Sequence, residues 1–175
     1  VPSPSPSFKA FIVEKWHTAT ETLCEGHIEE ALRRTKDVLS SCEQEGYMHP
    51  SAGLLTADVG ILHWHLGELD TALEYLRWAR ENSDGQVIIW FIFGCVAFEM
   101  VKLVEALHAF ERSWVLFPQG ETSLACAHWG MRFMLKREML EYNIVRVREK
   151  IAQGARGSVI GIWRLPGGTV FKSLG

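Results

Sequence analysis

Apolar positions recur at helical spacing through most of this chain, and the segments come in pairs. From Phe8 to Cys24 the residues Phe8, Phe11, Ile12, Trp16, Ala19 and Leu23 fall on one side of a helix, which Gly26 ends. His27 to Ser41 follows, with Ile28, Ala31, Leu32, Thr35, Val38 and Leu39 on one face. The same pattern predicts a second pair, from about Ser51 to His65 and from Leu69 to Asn82, with Gly67 in the turn. A third runs from Val87 to Met100 and from Leu103 to Phe117, with Asp84 as its N-cap and Pro118-Gln119-Gly120 closing it. Leu124 to Gln153 reads as one or two further helices with an apolar seam at Leu140, Ile144, Val147 and Ile151. From Gly154 the glycines break any helix, while Val159, Ile160, Ile162, Trp163, Val170 and Phe171 are too apolar for a solvated tail.

The pairs are copies of one another. Gly60 recurs as Gly94 and Ala72 as Ala106, each 34 residues on, and Leu76 matches Phe110 and Val59 matches Phe93 at the same offset. Gly26 and Ala31 match Gly67 and Ala72, with the surplus length of that first copy placed in a loop over Ser41–Ser51. A small residue in the first helix lets the second approach closely, Ala does the same from the other side, and large apolar groups fill the gap between pairs. A period of 34 with these residues is the tetratricopeptide pattern. The expected fold is therefore all-α, a tetratricopeptide-repeat helical array of three helix hairpins plus a capping helix, with an extended C-terminal tail. Residues 1–7 are expected to be a disordered Pro/Ser-rich stub, 8–153 the repeat domain, and 154–175 the tail docking on the array. In the tail, Trp163, Leu165, Pro166, Val170 and Phe171 are the docking residues, since burying a Trp or Phe is worth on the order of 2–3 kcal/mol each.

Composition narrows the function. At 175 residues the chain makes one ordinary domain or one short repeat array. No apolar run is long enough to span a bilayer, and Val87 to Ala97 reads as a buried repeat helix. The expected compartment is the cytoplasm, without stable membrane insertion. Cys24, Cys42, Cys95 and Cys126 form no CxxC pair and are expected as reduced thiols in helix interfaces. Residues 1–121 carry 18 acidic side chains against 9 Lys/Arg, and residues 122–175 carry 3 against 9. This segregation suggests a partner-facing or intramolecular electrostatic role, whereas nothing in it resembles a nucleic-acid motif. No Ser-His-Asp arrangement, phosphate-cradling Gly loop or HExxH is present. His63-Trp64-His65 comes nearest to a metal motif, but residues two apart on a helix point in different directions. No cofactor, metal or catalytic residue is expected, and the chain reads as a non-catalytic interaction module.

Finer features point to a particular family. IIWFIFG followed by EALHAFERS is similar to the third repeat of the N-terminal tetratricopeptide domain of cytosolic NADPH oxidase activators: the phagocyte subunit, its non-phagocytic relative and the fungal oxidase regulators. That family continues with a short insertion holding a Gly, on which Gly120 falls, and then a helix resembled by Trp129-Gly130-Met131-Arg132-Phe133-Met134-Leu135 and Glu138-Met139-Leu140-Glu141-Tyr142-Asn143. Its domain closes on an extended segment like Pro166-Gly167-Gly168-Thr169-Val170-Phe171-Lys172. The resemblance implies an oxidase-regulator adaptor whose tail lies along the groove of the array. It also implies a Rac/Cdc42-type GTPase as partner, met at Gly53, Ser83, Gly85, Gln119, Glu121, Ser123 and Ala125. None of these keeps the family's residue, and a full fourth repeat is absent or reduced to Ile144–Gln153. The alternative function is a generic tetratricopeptide scaffold for an unrelated peptide or protein.

Overall fold

The computed structural model describes residues 5–46, 50–83, 85–128, 131–153, 159–165 and 168–174, with side chains described over 5–46, 52–83, 85–125 and 134–152. Ser5 opens the first helix by accepting the Phe8 N–H at 3.2 Å, and Pro6 sits in the first turn, where its missing N–H costs nothing. That helix, α1, therefore spans Pro6–Cys24 and begins inside the stretch assigned to the stub. α2 (Ile28–Gln44) carries on past Ser41, and α3 begins at Pro50, so the connection is shorter than the expected loop over 41–51. The remaining repeat helices are α3 (Pro50–His65), α4 (Leu69–Asn82), α5 (Val87–Glu99) and α6 (Leu103–Leu116). They pack as α1 on α2, α3 on α4 and α5 on α6, with each pair stacked on the next. The N-cap of α5 is Gln86, and Asp84 lies outside the described residues.

All three pairs turn through the same corner. Gly26, Gly67 and Val101 take φ of 92°, 79° and 60°. The next residue of each corner donates its backbone N–H five residues back: His27 to Thr22 at 3.2 Å, Glu68 to His63 at 2.9 Å, Lys102 to Ala97 at 2.8 Å. This is the closure of a Schellman motif, which satisfies carbonyls left open at the end of a helix. Ala31, Ala72 and Ala106 then donate to His27, Glu68 and Lys102, and the second helix is under way. Val101 thus holds, as an exposed β-branched residue, a backbone conformation that glycine adopts freely.

The repeat glycines make the pairs close. A Cβ on Gly60 would stand 2.8 Å from Leu76 Cγ, and one on Gly94 would stand 2.7 Å from Phe110 Cε1. Ala72, Ala106, Leu76 and Phe110 are all fully buried behind them. Every residue of α5 from Val87 to Phe98 is buried. A helix apolar on all sides must be covered on all sides, and α5 is the centre of the largest core cluster.

Beyond α6 the chain departs from the helix expected from Leu124. β1 (Ser123–His128) and β2 (Met131–Lys136) pair antiparallel, Leu124 opposite Leu135 and His128 opposite Met131. The reason is a period of two: Leu135 is buried between exposed Met134 and Lys136, an alternation that a strand produces and a helix does not. The helical part of the family resemblance is corrected over 131–135, while Trp129 and Gly130 lie outside the described residues. α7 (Arg137–Gln153) follows and packs on α6. Its seam buries Leu140, Ile144 and Val147 as expected, but Ile151, in the last turn, is 43% exposed.

The extended tail folds back on itself as a hairpin. β3 (Val159–Leu165) pairs with β4 (Gly168–Leu174), Ile162 opposite Phe171 and Trp163 opposite Val170. Two β-branched and aromatic runs separated by two residues satisfy each other's backbone groups, which one extended strand leaves open. β3 runs beside α5 and α7, and β4 beside α5.

Candidate functional site

Of the seven positions implied as a GTPase surface, Gly53 is buried, Ser83 and Ser123 are half-buried, and Gly85, Gln119, Glu121 and Ala125 are exposed. Gly53, in the first turns of α3, is buried, and a Cβ there would fall 1.8 Å from Ser83 Oγ. That closeness lets α3 touch the end of α4. Ser83 is half-buried on top of it, and Gly85 is exposed with open space around it. Gln119 and Glu121 are exposed in the connection from α6 to β1, Ala125 is exposed on β1, and Ser123 is half-buried at its start. The structure thus brings Gly53 and Ser83 together, and groups Gln119, Glu121, Ser123 and Ala125 along one connection.

That connection is held by a residue the sequence did not single out. The Arg137 Nη2 donates to the carbonyls of Phe117 at 3.5 Å and Pro118 at 3.4 Å, and its guanidinium stacks 4.3 Å from the Trp114 ring centre. Its backbone N–H donates to Thr122 O at 2.9 Å. Gly120, with φ of 81°, turns the chain between these anchors. The contact is about twenty residues long-range and lies where a helix was expected, so no local signal could reveal it.

The tail residues Trp163, Leu165, Val170 and Phe171 lie on β3 and β4, while their side chains and the whole of Pro166 lie outside the described residues. The backbone of β3 passes α5 and α7. Elsewhere, hydrogen bonds from Arg33 and then Arg34 hold the Glu30 carboxyl down at about 2. Burial pushes the Cys42 thiol up to about 11 and pushes Cys95 up as well. Cys24, expected in a helix interface, is exposed at the end of α1, where the turn at Gly26 leaves it uncovered. His63 is bonded through Nδ1 to Glu68 and stacks on Tyr75 with ring centres 5.4 Å apart. Among the described residues no group of three His, Cys, Asp or Glu is placed to hold a metal ion, and no helix is long and apolar enough to cross a membrane.

Helices in antiparallel pairs, stacked through small residues, define a tetratricopeptide-type array. The chain is similar in structure to the tetratricopeptide domain of Sgt2 from Aspergillus fumigatus, with a TM-score of 0.60 over 89% of this chain and 85% of that one, at 15% sequence identity. No protein family and no curated protein matches the sequence.

Proposed function

We propose that this chain is a non-catalytic protein–protein interaction module acting in the cytoplasm, an adaptor resembling the NADPH oxidase activators, with its tail docked on its own groove. The observation that carries the reading is α5, buried from Val87 to Phe98, with β3 and β4 beside it. In an open array the first helices leave one side to solvent or to a bound peptide. Trp163, Leu165, Pro166, Val170 and Phe171 are the residues that would fill that side here, and Arg164 and Lys172 would meet the acidic first two-thirds of the chain. Removal of the residues after Gly157 tests this: the melting temperature should fall and amides of α5 and α7 should lose protection from hydrogen exchange. An unchanged melting temperature, with tail amides of the full chain exchanging at random-coil rates, would sink the docking.

The GTPase part of the resemblance is weaker. Gly53 is buried, and Gly85, Gln119, Glu121, Ser123 and Ala125 lack the family's polar anchors. Losing several hydrogen-bonded contacts is large on the affinity scale, so binding of GTP-loaded Rac or Cdc42 tighter than about 10 μM is not expected. Titration calorimetry with GTP- and GDP-loaded protein checks it, and state-selective sub-micromolar binding would overturn it. The second reading, a general scaffold for an unrelated peptide or protein, is favoured by that loss of anchors at the edge of the array.

A further inference from the structure

Between α4 and α6, across the start of α5, lies an open groove of about 670 Å3 lined by Arg80, Glu81, Trp90, Val104, Glu105 and His108. Arg80 reaches into it from α4. Its guanidinium carbon lies 4.3 Å from the Phe93 ring centre and 5.2 Å from that of Trp90, two buried rings. Contact with the two rings uses none of the guanidinium's five N–H groups. Among the described residues the Arg80 side chain donates no hydrogen bond and makes no ion pair, whereas Arg77, one turn earlier, is paired with Glu105 at 3.2 Å. Burial, with repulsion from Arg77, holds Arg80 below the ordinary arginine pKa, although arginine stays charged at any physiological pH. The groove is open, so water meets those donors in the free chain, and a bound carboxylate would replace that water with charge-assisted bonds.

The walls say what that something is. Val104 is 72% exposed beside the Arg80 site, and His108 packs edge-on against Trp90 at 5.7 Å, so the groove has an apolar side. Glu81 and Glu105 act on Arg80 electrostatically without bonding it. Their charge disfavours a dianion such as a phosphate, while one carboxylate can pair with the guanidinium fork in the bidentate geometry that arginine prefers.

We propose that this groove is a docking site for a protein segment that carries an apolar residue beside a single carboxylate. The carboxylate pairs with Arg80 and the apolar side chain covers Val104 and the edge of Trp90. The site lies between second helices, so it stands or falls separately from the docking of β3 and β4.

Nuclear magnetic resonance of the isotope-labelled full chain tests it, with a capped Leu-Glu dipeptide as the probe and capped Leu-Gln and Leu-phosphoserine as comparisons. At about 10 mM even a millimolar site is filled. The Arg80 Nε–H and the amides of Val104, Glu105 and His108 should shift saturably with Leu-Glu, at an affinity at least about tenfold above that of either comparison, as a lost charged hydrogen bond requires. Arg80→Lys keeps the charge but loses the fork, and should weaken Leu-Glu binding about tenfold while the rest of the spectrum stays in place. No saturable shift, an equal response to Leu-Gln, tighter phosphoserine binding or an unaffected Arg80→Lys variant would each overturn the proposal.

Discussion

The Trp64 indole N–H donates to a carboxylate oxygen of Glu99 at 2.7 Å, joining the first helix of the second pair to the first helix of the third. One repeat earlier Trp16 donates to Asp58 at 2.8 Å, and there both partners are buried. Neighbouring first helices are thus pinned twice by the same indole-to-carboxylate bond, at positions that the repeat signature leaves free. Trp64→Phe keeps an aromatic ring and removes the donor. It should lower stability by about 1–3 kcal/mol, the range for a charged hydrogen bond lost with its acceptor half-covered. Urea unfolding reads this as a lower midpoint at constant slope, and an unchanged midpoint would mean that water replaces the bond at no cost.

Gly94→Leu should destabilise the chain by about 1–3 kcal/mol or more through overpacking, because the new side chain begins 2.7 Å from the Phe110 ring. Gly85→Ala is the control, with no heavy atom within 4 Å of the new Cβ. Equal midpoints for the two variants would show that the ring of Phe110 yields freely.

Val101→Gly should stabilise. A β-branched residue with φ of 60° is held in the left-handed region at a cost of about 1–2 kcal/mol, and the extra unfolded-state entropy of glycine takes back about 0.4–1 kcal/mol. The net gain is up to about 1.6 kcal/mol, visible as a higher melting temperature. A drop would mean that the exposed Val101 side chain makes a favourable contact outweighing its backbone strain.

Cys24 should alkylate before Cys42 and Cys95 with iodoacetamide at pH 8, and those two should resist until the chain unfolds. The same burial makes stability depend on alkaline pH. The Cys42 thiol holds its proton to about 11 in the folded chain, above the value of an exposed thiol. Its contribution is complete below the unfolded pKa, and it declines as pH rises from about 9 through 11. Mass spectrometry of labelled peptides follows the first effect, and early labelling of Cys42 would contradict its burial.

Much of the array was legible because the repeat is local: Gly60 with Leu76 and Gly94 with Phe110 are read directly at a fixed offset. What escaped had no such regularity. Leu124 to Lys136 carries enough Leu and Met to pass for a helical seam, and only the alternation of Met134, Leu135 and Lys136 tells the strand apart, over too few residues to decide. Val101 hides the third corner because it is a residue that the corner disfavours. Gly167-Gly168 reads as a helix breaker, yet a hairpin needs that break as much as a loose tail does. Of the candidate site, Gln119, Glu121 and Ala125 are exposed, but the burial of Gly53 beneath Ser83 and the grip of Arg137 depend on partners about twenty to thirty residues away.

An open repeat array can assemble and come apart one pair at a time, since each pair touches only its neighbours. Here β3, which begins at Val159, lies beside α5, which ends at Glu99. The intervening loop of about 60 residues must close before that contact forms, an entropic barrier on the order of 3–4 kcal/mol. A chain joined in this way should not be modular along its length. Its third pair and its last strands gain their order together, and unfolding should be a single cooperative event in which damage at one end is felt in the middle.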